Sequence, residues 1–297
     1  MKIIVTFGQQ NFNMRQPTLM FFFFGMAFAL SAQTDAVNPL KEPEKSKKSQ
    51  WYITWGYTRA AYSRSTIHFK DESKKLHEYT GKQANYNFTI YDVKAADQAD
   101  FDKLPDVINI TIPQYVCRIG YSFNDKWGIE FNYDHTKYVV NDWQIARIKG
   151  QIDDHLIDGD TLLDPDRFLH FEHTDGANFF MINAVRNFKF YNPNKNFGLS
   201  WVVKPGAGVV IPRTDVTLFG EHLNNDWHVA GWIAGVETGL RMEFFRNGFF
   251  ELVTKGSYAD YRQVLVLGKG NGTANHHFFT GQVSATIGVR FGPATRR

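Results

Sequence analysis

The chain has 297 residues, 33 Lys and Arg against 30 Asp and Glu, and a formal net charge of +3. That balance is too near neutral to point to nucleic acid, and a single cysteine, Cys117, excludes an internal disulfide framework. Mean hydropathy of −0.36 excludes a helical membrane protein, yet 16% of the residues are aromatic. Strands that anchor in a membrane interface account for both values, because only their alternate residues face lipid.

The first predicted element is the apolar run Leu19–Leu30 (LMFFFFGMAFAL), too short for the ~20 residues of a spanning helix. Arg15 precedes it and the small residues Ser31 and Ala32 follow. This reads as a secretory signal peptide over residues 1–32, with Met14 as an alternative start. No Cys follows the run, so no lipoprotein anchor is expected. Residues 33–50 are rich in Lys, Glu and Pro and read as a solvated linker.

From residue 51 to 292 the pattern alternates with period two between turn residues. The expected strands are Trp51–Tyr62, Ile112–Phe123, Trp127–Val140, one that reaches Phe190, Phe197–Ile211, Trp227–Phe245, Phe249–Leu265 and Asn275–Phe291. Asn124–Lys126, Asn192–Lys195 and Arg246–Gly248 read as tight turns; residues 63–110, 141–167, 213–226 and 267–273 read as long loops. Within the first of these, Tyr86–Val93 is a further strand-like piece. Residues 293–297 are a tail. Eight strands with alternating long and short connections predict an all-β fold, an eight-stranded antiparallel transmembrane β-barrel. It would have four long extracellular loops, three short periplasmic turns and both termini on the turn side.

Charge placement tests this, because Arg or Lys facing hydrocarbon at the midplane costs ~2–4 kcal/mol. In the last strand Val283, Ala285, Ile287, Val289 and Phe291 share one face, with Arg290 opposite. The same separation assigns Arg118, Glu130, Asp134, Lys204, Glu237, Arg241, Glu243, Glu251, Lys255 and Arg290 to the interior: five cations and five anions. A barrel of this size is just filled by its own side chains, and buried charges must pair, so a salt-bridged plug is expected. Strands one and four leave their facing open at Arg59 and at Phe179–Met181. A three-residue turn at Arg246–Gly248 would pair Phe244 with Phe250 and Glu243 with Glu251. Pro205 predicts a bulge, since a closed wall has no free edge.

Signal peptide, eight alternating strands, long–short connections and a terminal aromatic (Phe291) together resemble the small outer-membrane barrels of Gram-negative bacteria, the OmpA/OmpX-like and PagP/PagL-like group. The resemblance implies the cell outer membrane as location and outer-membrane lipids and lipopolysaccharide as surroundings. Two kinds in that group act on lipid A. The deacylase kind carries an H-x-S arrangement; the nearest match, His135-Thr136-Lys137, lacks the Ser.

The remaining chemistry-bearing residues cluster at the ends of strands. His135, His173 and Asp175 are the catalytic candidates, with polar rim contacts as the plainer reading. His170 and Glu172 alternate onto one face and His173 and Asp175 onto the other, so either pair could contribute metal ligands, with His276 or His277. Asp153–Asp166 carries six Asp, among them Asp158 and Asp160; oxygen-rich loops can hold Ca²⁺, but the spacing is not an EF-hand, and a solvated loop is expected. The glycines of Gly268–Gly272 precede no helix, so they form no phosphate loop and no cofactor is expected. The expected role is structural or surface interaction through residues 63–110 and 141–167, with a lipid A acyl hydrolase and a narrow channel as alternatives.

Overall fold

The computed structural model describes residues 49–76, 83–97, 114–194, 196–268 and 271–292. The expected signal peptide, almost all of the linker and the tail 293–297 lie outside the described residues. The strands are β1 (Gln50–Tyr62), β2 (Ser65–Asp71), β3 (Tyr86–Val93), β4 (Ala95–Ala96), β5 (Tyr115–Ser122), β6 (Trp127–His135), β7 (Tyr138–Val140), β8 (Ile145–Ile152) and β9 (His155–Leu162). They continue with β10 (Leu169–His173), β11 (Phe179–Asn194), β12 (Phe197–Val210), β13 (Asp215–Leu218), β14 (Glu221–Asn224), β15 (Gly231–Phe244), β16 (Gly248–Leu265) and β17 (Thr273–Phe291). All pairings among them are antiparallel, and no helix occurs among the described residues.

Pairing runs β1-β5-β6-β11-β12-β15-β16-β17, and β1 pairs again with β17, from Trp51 opposite Phe291 to Tyr62 opposite Thr280. Along these strands burial alternates residue by residue. In β17 Thr280, Gln282, Ser284, Thr286 and Arg290 are buried while Val283, Ile287, Val289 and Phe291 are exposed. Aromatic rings band the exposed face at two levels. Trp51, Tyr121 and Phe123 lie at the short-turn end; Tyr115, Tyr133 and Phe180 form a run at the other, as do Trp232, Tyr258 and Phe279. On the buried face two rings fill the space over glycines. Tyr52 lies across Gly120 and Phe249 across Gly288, their direct cross-strand partners. A Cβ on either glycine would collide with the ring, so each aromatic covers backbone that no side chain shields.

The facings left open resolve by parity. In β11 Phe179, Met181, Asn183 and Val185 turn inward, while Phe180, Ile182, Ala184, Arg186 and Phe188 turn outward. Arg59 takes the outward parity of β1 and stacks on Tyr57, 4.8 Å from the ring centre.

Several expectations are corrected. The hairpin after β15 turns at Phe245-Arg246-Asn247, with Phe245 and Arg246 at positive φ (51° and 65°). Phe244 therefore opposes Gly248, two residues away from the expected partner. The two-residue slip keeps every side chain on its face but puts Arg241 opposite Glu251, where the expected register would have set Glu243 against Glu251. Directly opposed like charges are destabilising and opposite charges favourable. Pro205 causes no bulge: it opposes Val236 in an unbroken ladder with β15. Towards β11 the pairs opposite Lys204 and Pro205 are skipped and the same register resumes. The irregularities lie instead between Lys189 and Asn194, at the next turn.

Three of the four expected long loops, 63–110, 141–167 and 213–226, carry β-structure among the described residues. The strand expected over Trp127–Val140 breaks after His135, and its end, β7, joins a second sheet ordered β14-β13-β10-β7-β4. Asp153 and Asp154, expected in a solvated loop, are the two central residues of the β8–β9 hairpin, at φ 48° and 64°. Phe219 and Gly220 do the same between β13 and β14, at φ 56° and 80°. Positive φ at both positions is the type I′ geometry that matches strand twist, and Asp and Gly tolerate it.

The first residues of β17 pair with β2, and β3, β8 and β9 follow in order, extending the main sheet past the ring of pairings. This extension faces the second sheet across a shared core. Phe69 meets Phe171 edge to face at 5.5 Å, and Phe88 lies 6.2 Å from Phe168. Ile67, Ile90, Leu169, Val216 and Leu218 fill the space between. Two sheets that bury apolar faces against each other make an ordered head.

Candidate functional site

The buried face of the long strands gathers charge into one mesh. β5 supplies Arg118, β6 Glu130 and Asp134, β12 Lys204, β15 Glu237 and Arg241, and β16 Glu251 and Lys255. Each takes the inward parity of its strand; for Arg118, Glu130, Lys204, Arg241 and Glu251 both sequence neighbours are apolar and turn outward. Arg118 Nη2 lies 2.6 Å from Glu237 Oε2, and the same guanidinium reaches Glu130 at 3.6 Å and Glu251 at 3.7 Å. Lys204 Nζ touches the same three carboxylates, at 3.2 Å (Glu130), 3.0 Å (Glu237) and 2.8 Å (Glu251). Arg241 pairs with Glu251, and Lys255 with Asp134. Arg118, Lys204 and these three Glu side chains have no solvent-accessible surface.

Neutral groups complete the mesh. Arg118 Nε donates to Asn132 Oδ1 at 2.8 Å, Tyr52 Oη to Glu130 at 2.9 Å, and Arg241 Nη1 to Asn187 Oδ1 at 3.1 Å. Tyr52 and Asn187 were not named from the sequence; Asn132 was expected on the face of Glu130 and Asp134, opposite Arg118, and it is there. Glu243 and Arg290 lie apart from the mesh, joined at 2.6 Å near the short-turn end, where Lys189 adds a second cation at 3.0 Å. Four cations and four carboxylates in the main mesh (Arg118, Lys204, Arg241, Lys255; Glu130, Asp134, Glu237, Glu251) cancel, which buried charge requires.

Above the mesh, the head holds a histidine pair. His173 Nε2 lies 3.2 Å from His276 Nε2, so one ring donates to the other, and His173 Nδ1 is 3.0 Å from Thr214 Oγ1. Tyr261 stacks on both rings, and Tyr138, Phe171 and Phe278 close the box. Burial, helped by nearby His228, depresses the His173 pKa to about 3, so the ring is neutral. The expected neighbour Asp175 is elsewhere, accepting from Arg213 at 2.8 Å and from Asn224. His277 lies on the outward parity of β17 against Tyr258.

On the outer face of the second sheet, His170 sits between two carboxylates, 2.8 Å from Asp142 and 3.3 Å from Glu172. The hydrogen bond with Glu172, with Asp142 adding to it, outweighs burial and raises the His170 pKa to about 9. Burial pulls Glu172 upward, but His170 and Thr174 hold its carboxyl below the ordinary range. The other metal candidates lie on a different sheet: Asp158 pairs with Arg147 and Lys149, and Asp160 is exposed beside it on β9. No group of three or more metal-capable side chains assembles among the described residues.

His135 sits where β6 leaves the aromatic band. Its Nδ1–H donates to Asn178 Oδ1 at 2.9 Å, Tyr133 Oη donates to the same atom, and its ring stacks on Tyr115 at 4.9 Å. Acyl transfer needs a nucleophile within hydrogen-bond reach of the base. Among the described residues His135 is hydrogen-bonded to Tyr133 and Asn178, and His173 to His276 and Thr214, with neither a Ser hydroxyl nor a carboxylate.

No protein-family model and no curated protein matches the chain. Among solved structures it is similar to neisserial surface protein A, at 12% identity over 82% of this chain and 100% of the other, with a TM-score of 0.33. The N-terminal β-barrel domain of Pseudomonas aeruginosa OprF matches at 10% identity over 83% and 100%, TM-score 0.30. The Escherichia coli outer membrane protease OmpT matches at 10% over 84% and 99%, TM-score 0.30. At such values these likenesses assign neither a family nor an activity.

Proposed function

We propose that this chain is an integral outer-membrane β-barrel of a Gram-negative cell, closed to solutes, that carries a rigid β-sheet head outside the membrane as a surface-interaction platform. Eight strands (β1, β5, β6, β11, β12, β15, β16 and β17) form the wall. Three short turns face the periplasm, and the four other connections stand on the outer side. The observation that carries this reading is the pairing order that returns to β1, together with an apolar, aromatic-banded outer face. In hydrocarbon every backbone N–H and C=O needs a partner, and a sheet without edges supplies one.

The charge mesh then plugs the lumen and ties five strands together. Outer-membrane lipids and lipopolysaccharide surround the wall, and the described residues within 63–110, with residues 141–167, form the surface offered to a protein or ligand. The head's own core favours a platform over mobile loops, because Phe69, Phe88 and Phe171 hold its strands from both sheets.

In a Cys117→Ser background, cysteines replacing Asp160 and Asn247 would be exposed to a membrane-impermeant maleimide on intact cells. Labelling at 160 and protection at 247 are expected; the opposite pattern overturns the orientation. Planar bilayers holding the purified protein should stay silent, and stable single-channel steps would refute the plug. Incubation with lipid A should release no fatty acid.

A further inference from the structure

We propose that the outer wall carries a phospholipid-binding site at the short-turn end, with the lipid phosphate on Arg186 and one acyl chain in the groove above it. The site rests on the transmembrane reading, which makes this end face the periplasmic leaflet and its phospholipids.

Arg186, like Arg59 on β1, departs from the rule that outward positions carry no charge. It occupies the outward parity of β11 and pairs with Trp127, the first residue of β6 after the turn. Its guanidinium lies 4.5 Å from the Trp127 ring centre and 5.0 Å from that of Phe188. Two rings thus fix the plane of the cation. Among the described residues no hydrogen bond or ion pair to this guanidinium occurs. Five N–H donors held at the membrane boundary face an acceptor the protein does not supply. A phosphate answers that geometry with a bidentate, charge-assisted contact.

The surface next to Arg186 supplies the second half. An apolar groove of about 590 Å³ is lined by Phe123, Trp127, Ile129, Ile182, Ala184 and Pro205. Ala184 is two residues from Arg186 on the same face of β11 and opposes Ile129 of β6. Its small side chain lies between the larger Ile129 and Ile182, so the floor dips where the strand leads from the cation into the hydrocarbon. Charge and groove are adjacent and aligned along one strand, as the head and tail of one lipid are. A cation on the wall need not sit beside such a depression; a mere interfacial anchor would need the rings and not the groove.

The test is native mass spectrometry of the folded protein after transfer to mixed micelles of a lipid-free detergent and a stated amount of phosphatidylglycerol. Arg186→Gln, Arg186→Lys and Ala184→Leu would run beside the unaltered chain, each first shown to keep the gel mobility shift of the folded protein. One retained phosphatidylglycerol per chain is expected. Occupancy should fall at least about tenfold in Arg186→Gln, since a charged hydrogen-bonded contact is lost. Ala184→Leu should also lose it, by filling the groove while leaving the cation, and Arg186→Lys should retain part. Diacylglycerol should not bind in place of the phospholipid, and inorganic phosphate should not compete. Equal retention by Arg186→Gln, or equal binding of diacylglycerol, overturns the site. Absence of the mobility shift in the unaltered chain would instead refute the barrel reading beneath it.

Discussion

Lys204→Met keeps the length and apolar stem of the side chain and removes only its charge. Lys204 Nζ lies within 3.2 Å of Glu130, Glu237 and Glu251, and the mesh around it is neutral with it and carries −1 without it. Arg118 reaches the same three carboxylates, yet two of its three contacts are longer than 3.5 Å, so it cannot replace what Lys204 supplies. Removing one partner of a fully buried ion pair costs ~3–5 kcal/mol, because the other charge stays desolvated. Against a total stability of roughly 5–15 kcal/mol that is a large loss. At a urea slope of about 2 kcal/mol/M it moves the midpoint by roughly 1.5–2.5 M. The companion Lys204→Met/Glu237→Gln restores neutrality and should recover a coupling of roughly 1–3 kcal/mol. The assay is reversible urea unfolding in lipid vesicles, read by gel mobility and tryptophan emission. A single variant within about 0.5 kcal/mol of the parent, or a double variant no better than the single, would refute the view that paired charge holds the interior together.

Three further outcomes follow. Ile287→Arg, on the exposed face of β17, should destabilise by ~2–4 kcal/mol at mid-membrane depth, whereas Leu156→Arg, exposed on the head strand β9, should stay within about 0.5 kcal/mol; equal effects would end the lipid-facing assignment. In a Cys117→Ser background, Met242→Cys with Phe250→Cys should form a disulfide on mild oxidation, and Phe244→Cys with Phe250→Cys should not, because the observed register opposes 242 to 250. The head should lose stability in both pH directions. His173, neutral in the fold with a pKa of about 3, contributes stability above its unfolded value of roughly 6.5 that is lost as pH falls from there toward 3. His170, raised to about 9, contributes stability that is full below roughly 6.5 and is lost as pH rises through 9. Hydrogen exchange of head amides should show His173→Phe shrinking the acid arm, to which His276, its pKa also pushed well down by burial, contributes the rest, and His170→Gln removing the alkaline arm; an unchanged profile in both would contradict the two environments.

Period-two alternation determined by itself that the chain is all-β and which face each strand of the mesh presents. A strand cannot change the side of one residue without turning its neighbours, so Arg118, Lys204 and Glu251 had to share a face once their apolar partners shared the other. Register was a different matter. A slip of two residues leaves every facing intact, so the turn at Phe245–Asn247 and the opposition of Arg241 to Glu251 are visible only in the folded sheet. The head was illegible for a similar reason. Its strands are short, such as Tyr138–Val140 and Asp215–Leu218, and their apolar residues find partners only across the gap between two sheets, as Phe69 finds Phe171. His173 and His276 are 103 residues apart in the chain, and no local pattern announces that they touch. Arg186 follows the same logic: its sequence neighbourhood shows a charge in a strand, and only the folded wall shows two rings beneath it and a groove beside it. Local alternation sets which way a side chain points, and tertiary pairing decides what it meets there.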